Sequence, residues 1–287
     1  MENKKTDLKE DDLKALVKTK YGEIAQQSKQ QNESSCCGTG GSCSNVDYTI
    51  FSENYDTIEG YNPDADLGLG CGIPTAYAQI KAGDTVIDLG SGAGNDCFVA
   101  RALVGEAGKV IGVDMTESMI EKASMNAEKL GYKNVGFRLG DIENMPVTAN
   151  TADIVISNCV LNLVPDKNKA FAEIFRVLKP GGHLSISDVV LKGNLPLKIQ
   201  EAAEMYAGCV SGAIQIEDYL EIMHKTGLKN IKVQKEKSIG VPDEILLKYL
   251  NADELTSFKE TGTGIFSITV YAEKPAAKCD CGAGCGC

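Results

Sequence analysis

The chain predicts an α/β fold: a mostly parallel, Rossmann-like sheet with helices on both faces. Three observations carry this. Apolar strand-like runs alternate with helical patterns from residue 84 onward, the first run ends in the glycine turn Gly90-Ser-Gly-Ala-Gly94, and the second ends in an acid, Asp114. Strands that alternate with helices imply parallel pairing, because each crossover returns the chain to the same end of the sheet and covers one face.

The elements follow in order. Thr85–Leu89 is an apolar strand, and a helix begins after the glycine turn and runs from Asp96 to Leu103. Lys109–Asp114 is the second strand. Thr116 is placed to cap a helix running to Leu130, with Gly131 just past its end, where a left-handed residue closes the last turn. Val135–Leu139 and Asp153–Ser157 are the third and fourth strands. Asp166 caps a helix that ends at Leu178, where Pro180-Gly181-Gly182 stops it, and His183–Val190 is the fifth strand. After Leu195 the rhythm changes. Residues 196–206 and 217–226 read as helices with a Cys209 loop between them, and residues 231–237 and 265–273 read as late strands, one of them antiparallel, separated by a helix near 242–250. At the N-terminus, residues 7–27 carry a sparse helical apolar set of Leu8, Leu13, Leu16, Val17 and Ile24.

This divides the chain into four parts. Residues 1–47 form a polar segment with a Cys-rich loop. Residues 48–195 form the nucleotide-type domain. Residues 196–275 supply helical and loop elements for the substrate and the late strands. Residues 276–287 form a Gly/Cys tail.

Bulk properties narrow the function. The 287 residues carry a net charge of −11, which repels a phosphate backbone and argues against nucleic acid. No apolar run has the length needed to span a bilayer, and the first residues lack an apolar signal core, so the expected compartment is the cytoplasm. There the eleven cysteines stay reduced, and their odd count and irregular spacing do not suit a disulfide framework.

Two constellations carry chemistry. Asp88-Leu-Gly-Ser-Gly-Ala-Gly94 follows a strand and opens a helix, so Gly90, Gly92 and Gly94 let the backbone approach a ligand, with Asp88 and Ser91 beside it. Asp114 and Met115 end the next strand, where such a sheet places a ribose-binding acid, and Gly140-Asp141-Ile142-Glu143 follows the third strand. The spacing Gly-x-Gly-x-Gly departs from the dinucleotide fingerprint and is closer to that of proteins binding S-adenosylmethionine, which has no pyrophosphate to seat. The second constellation is thiol. Cys71, Cys159 and Cys209 stand alone in the compact region, Cys159 just beyond the fourth strand on the ligand-binding edge. The compact region has no paired Cys knuckle, and its only histidines are His183 and His224, so a four-coordinate zinc site is a poor match. Three separated thiolates suit a soft, pyramidal three-coordinate centre such as trivalent arsenic. Cys97, beside Phe98, reads as a small buried hydrophobe.

The segments Asp88–Cys97, Gly112–Thr116, Ser157-Asn-Cys-Val-Leu-Asn-Leu-Val-Pro-Asp-Lys167 and Ser187-Asp-Val-Val190 resemble arsenite S-adenosylmethionine methyltransferases over about residues 70–230. The chain ends before the extra C-terminal region of longer, eukaryotic-type members and so resembles the shorter microbial type. The resemblance implies a class I methyltransferase fold with S-adenosylmethionine as cofactor. Its contacts would be Asp88, Gly90, Ser91, Gly92, Gly94, Asp114, Met115, Asp141, Ile142, Glu143 and Asn158. It implies Cys159 and Cys209 as arsenic(III) ligands, and Cys71 as a third ligand and redox thiol. Cys36, Cys37 and Cys43 all compete for the family's further N-terminal cysteine. Cys279, Cys281, Cys285 and Cys287 match the Cys-rich tails of family members. Implied partners are arsenite as a thiol complex and a reductant of the glutathione or thioredoxin type, with no nucleic acid and no membrane. Two competing readings are a generic class I methyltransferase of small metabolites and a non-catalytic metalloid-binding protein.

Overall fold

The computed structural model describes residues 10–27, 32, 53–196, 199, 210, 212–240, 243–247 and 250–277. Seven strands form one sheet in the order β3-β2-β1-β4-β5-β7-β6. They are β1 (Thr85–Leu89), β2 (Lys109–Asp114), β3 (Val135–Leu139), β4 (Ala152–Asn158), β5 (Leu178–Lys192), β6 (Lys229–Ile239) and β7 (Gly264–Glu273). The first five pair in parallel. β7 runs antiparallel between β5 and β6, so the expected antiparallel late strand is present. The α/β reading therefore holds: the fold is the class I, Rossmann-like one.

Helices are α1 (Glu10–Ile24), α2 (Asn95–Val104), α3 (Glu117–Lys129), α4 (Lys167–Val177), α5 (Ile216–Lys225), α6 (Asp243–Leu246) and α7 (Ala252–Glu260). The sequence reading gave one helix near 242–250, whereas two short helices occupy 243–260, and α7 was not expected. The fourth helix stops at Val177 rather than Leu178. The Asp166 carboxylate caps it as expected, accepting from the backbone N–H groups of Asn168 and Lys169. Thr116 occupies the cap position of α3 but makes no side-chain cap bond.

Strands β1 and β4 are almost wholly buried because apolar layers cover both faces. One face packs Ile87, Leu89, Ile111 and Val155 against Phe171 and Ile174 of α4 and Tyr219 and Met223 of α5. The other packs Val86, Val110, Ile154 and Ile156 against Phe98 and Ala100 of α2, Met119 of α3 and Ile24 of α1. The chain builds outward from β1 through β2 to β3, then returns to place β4 on the other side of β1. A crevice opens where two neighbouring strands send their crossovers in opposite directions, so the fold directs ligands to the carboxyl ends of β1 and β4.

Gly94 opens α2 at φ +99°. A β-carbon there would lie 2.8 Å from Phe98 Cζ and 3.0 Å from Phe137 Cζ. The third glycine of the loop thus serves the packing of helix on sheet. Gly94→Ala should lower stability by roughly 1–3 kcal/mol through the left-handed conformation and the ring clash, measured as a shift of the denaturant midpoint at unchanged slope.

Candidate active site

A cleft opens at the crevice between β1 and β4, with about 1190 Å³ of empty space including its mouth. Of the residues expected there, Asp88, Gly90, Ser91, Gly92, Asp114, Met115, Asp141, Ile142, Asn158 and Cys159 line it; Gly94, Glu143 and Cys71 do not. Asp114 Oδ2 accepts from Gly92 N at 3.0 Å and its Oδ1 from Thr116 N at 2.9 Å, so this acid folds the glycine loop onto β2. Glu143 is turned aside. Its carboxylate accepts from Lys14 Nζ and from Asp166 N. Lys14 also donates to Asp141 at 2.6 Å. Lys14, Val17 and Tyr21 of α1 form one wall of the cleft, and nothing in the spacing of that N-terminal helix announces the contact.

The cleft is acidic. Glu53, Asp66, Asp88, Asp96, Asp114 and Asp141 line it against one cationic lining residue, Lys14. Burial pushes the Asp88 carboxyl well up from its ordinary value, with the Asp96 charge adding to it. Burial raises Asp96 to about 6, against hydrogen bonds from Asn158 and Tyr55 that favour its anion. Burial also raises Asp114. Such a lining favours a cationic ligand, whose charge stabilises the buried carboxylates. Two buried polar atoms, Ser91 Oγ and Asn95 Oδ1, line the cleft without a hydrogen-bond partner among the described residues. Buried polar groups ordinarily find partners, so these two fit a polar ligand.

Cys97, read as a hydrophobe, is fully buried, and its thiol also donates to Asp88 Oδ2 at 3.2 Å.

At the far end of the cleft the thiols begin. β4 stops at Asn158, and Cys159 turns out of the strand at φ +63°, its N–H held by Ser187 O at 2.7 Å. A non-glycine residue there is uncommon and is held by its surroundings. The Cys71 loop lies across the end of β4 and beside Ser187 of β5. Its flanking glycines allow this: a β-carbon on Gly70 would meet Asn158 Nδ2 at 2.5 Å, and one on Gly72 would meet Ser187 Oγ at 2.5 Å. Asn158 Oδ1 accepts from Cys71 N at 2.9 Å and Gly72 N at 3.3 Å. Its Nδ2 donates to Gly72 O at 2.9 Å, Asp96 Oδ2 at 3.0 Å and Tyr55 OH at 3.0 Å. The amide of Asn158 is therefore spent on protein. Cys71 (1% exposed) and Cys159 (3% exposed) belong to one buried cluster that also contains Val189, Leu191 and Val210. Cys209, Cys36, Cys37, Cys43, Cys279, Cys281, Cys285 and Cys287 lie outside the described residues. Among the described residues no three His, Cys, Asp or Glu side chains gather as a metal site, and neither histidine lines the cleft.

The sequence reading passed over Tyr55, Asp66, Asn95 and Asp96. For Asn95 and Asp96 the signal was present, because they open the helix directly after the glycine loop. Tyr55 comes from a segment with no motif. Its hydroxyl lies 2.8 Å from Asp96 Oδ1 and 2.9 Å from Gly72 O, with one proton to share between these two acceptors. Removing the hub should unpin all of this. Asn158→Ala is expected to cost about 1–3 kcal/mol by leaving buried donors and acceptors unpaired and to loosen the Cys71 loop, read as faster alkylation of Cys71 by a thiol reagent.

Comparison with known proteins agrees with this geometry. Residues 80–227 match the family model for a methyltransferase domain. The arsenite methyltransferase of Halobacterium salinarum is 37% identical, the match covering 93% of this chain and 68% of that protein. The human arsenite methyltransferase is 32% identical over 90% of this chain and 70% of its own length. Among solved structures, the crystal structure of an arsenic(III) S-adenosylmethionine methyltransferase from Chlamydomonas reinhardtii superposes with a TM-score of 0.57 at 34% identity, covering 72% of this chain and 68% of that one. On the strength of these relatives, and of a cleft whose lining includes the buried Cys159, the chain belongs to the arsenite methyltransferase family.

Proposed function

We propose that this chain transfers methyl groups from S-adenosylmethionine to trivalent arsenic held by its own thiolates. One observation carries the reading: Cys159 lines the acidic cleft and also belongs to the buried cluster that contains Cys71. The cofactor side and the thiol side of the site therefore meet at one residue.

The cleft residues fit the cofactor. In this reading Asp88, Gly90, Ser91, Gly92, Asp114, Met115, Asp141 and Ile142 hold S-adenosylmethionine, and the unpartnered Ser91 Oγ and Asn95 Oδ1 gain a polar partner. Asn158 contributes by fixing the loop beside it. When bound, the cofactor supplies an electrophilic methyl group on a sulfonium cation. The protein's share is positioning and desolvation. Cys159, Cys209 and Cys71 grip arsenic(III) in a pyramid, which leaves its lone pair uncoordinated, so the nucleophile needs no general base. Support for the third thiol is that Val210, the next residue after Cys209, lies in the buried cluster with Cys71 and Cys159. Methylation formally oxidises arsenic. Cys71, with one of Cys36, Cys37 and Cys43, returns it to the trivalent state by forming a disulfide, which an external reductant of the glutathione or thioredoxin type reopens. This cycle suits the reducing cytoplasm; among the described residues no helix is long and apolar enough to cross a membrane. The tail thiols Cys279, Cys281, Cys285 and Cys287 act as auxiliary metalloid captors.

Purified protein given arsenite, S-adenosylmethionine and a thiol reductant is expected to produce methylated arsenic by mass spectrometry, and its absence would sink the reading. Cys159→Ser and Cys209→Ser should each abolish all methylation, whereas Cys71→Ser should spare a substrate supplied already monomethylated. A pH effect follows from the raised acids. Asp96 holds its proton up to about 6, and a cationic cofactor prefers the carboxylate, so below that value binding must displace a proton. Cofactor affinity should rise from about pH 5 to about pH 7. Calorimetric titration across that range checks it, and a flat profile contradicts it.

A further inference from the structure

The methyl-transfer scheme leaves one buried thiol without a task. Cys97, the third residue of α2, is 0% exposed. A helical side chain leans toward the helix N-terminus, and this one reaches back across the glycine turn to the strand before it. Its thiol donates to Asp88 Oδ2 at 3.2 Å, nine residues earlier in the chain. Among the described residues this is the one hydrogen bond that the Asp88 carboxylate accepts. Asp88 lines the cofactor cleft and Cys97 does not. The titratable groups that face Asp88 are Asp96 and Cys97 from α2, Asp114 from β2, and Tyr55 from the segment before the Cys71 loop. Burial, then the charges of Asp96 and Asp114, disfavour the Asp88 anion, and the Cys97 thiol favours it. Burial and the same three acids hold Cys97 in its protonated form. It is therefore a fixed donor and not a thiolate ligand for arsenic.

We propose that Cys97 is a positioning residue for S-adenosylmethionine that acts through Asp88: its S–H holds one carboxylate oxygen and leaves the other to the cationic cofactor. The inference rests on the cofactor reading of the cleft, and Cys97 itself touches no ligand. A carboxylate turns within a broad torsional well, and a buried one gives up its charge unless something donates to it. The thiol restrains both the rotation and the protonation. Sulfur suits the place because one face of Cys97 is apolar surroundings: it belongs to the buried cluster that contains Phe98, Ala100 and Ile154. A thiol packs there as a small hydrophobe and still keeps a weak donor for the acid.

The test compares Cys97→Ala with Cys97→Ser in the reduced full-length protein by calorimetric titration with S-adenosylmethionine. Both variants delete the sulfur and leave nearly the same space, and they differ in the hydroxyl donor, so a packing role predicts equal losses. The donor role predicts about tenfold weaker affinity for Cys97→Ala and an affinity within about threefold of wild type for Cys97→Ser. It also predicts that the rise of affinity with pH moves to higher pH in Cys97→Ala, because Asp88 loses the bond that favours its anion, and stays in place in Cys97→Ser. Equal affinities in the two variants, or a Cys97→Ala profile at the wild-type position, overturn the inference. Thermal melts monitor folding. If neither variant folds, Cys97→Val fills the space without a donor and settles the matter: weaker affinity with an upshifted profile supports the role, and wild-type behaviour refutes it. A wild type that binds no S-adenosylmethionine overturns the cofactor reading itself. Normal wild-type binding beside two equal variants overturns only the role of Cys97.

Discussion

The arrangement of this site depends on one primary amide. Asn158 ends β4, and its side chain ties three separate parts of the chain together: the Cys71 loop through two N–H groups and a carbonyl, α2 through Asp96, and the Tyr55 segment through its hydroxyl. An amide suits this place because it offers a donor end and an acceptor end at fixed separation. A carboxylate there would meet Asp96 with like charge, and an apolar residue would strand every partner. The next residue, Cys159, is forced into the left-handed region by its bond to Ser187. The geometry of the thiol loop is thus set at the end of β4.

Electrostatics follow from the same crowding. Five aspartates line the cleft, and burial raises Asp88, Asp96 and Asp114 from their ordinary values. A dinucleotide site turns backbone N–H groups to a pyrophosphate; this loop is instead surrounded by acid, which matches a sulfonium cofactor. The cation that does line the cleft, Lys14, arrives from α1 and pairs with Asp141 and with the buried Glu143 carboxylate beside it.

Much of the scaffold was legible in residue order. β1, β2 and β3 occupy the expected residues, because runs such as Thr85-Val-Ile-Asp-Leu89, buried on both faces, read as strands without ambiguity. The capped helix at Asp166 was legible for a local reason too, since a carboxylate two and three residues from free N–H groups needs no distant partner. α7 was missed because its pattern is weak and its neighbours decide it. Glu143 was expected among the cofactor contacts because its place after β3 says nothing about Lys14, 129 residues earlier in the chain. Gly94 looked like a ligand contact by spacing and is a packing contact by geometry, which only the Phe98 and Phe137 rings reveal.

Local information alone determined the first strands, the glycine loop, the acid that ends β2 and the identity of the thiols, because periodicity, turn chemistry and short motifs act over a few residues. Tertiary structure decided which groups meet. It spent the Asn158 amide on the Cys71 loop, set Tyr55 against Asp96, brought α1 over the cleft, and buried Asp188 against the Tyr219 hydroxyl. These contacts join residues far apart in the chain, and their strength comes from exclusion of water, a property of the packed molecule that no short stretch of residues possesses.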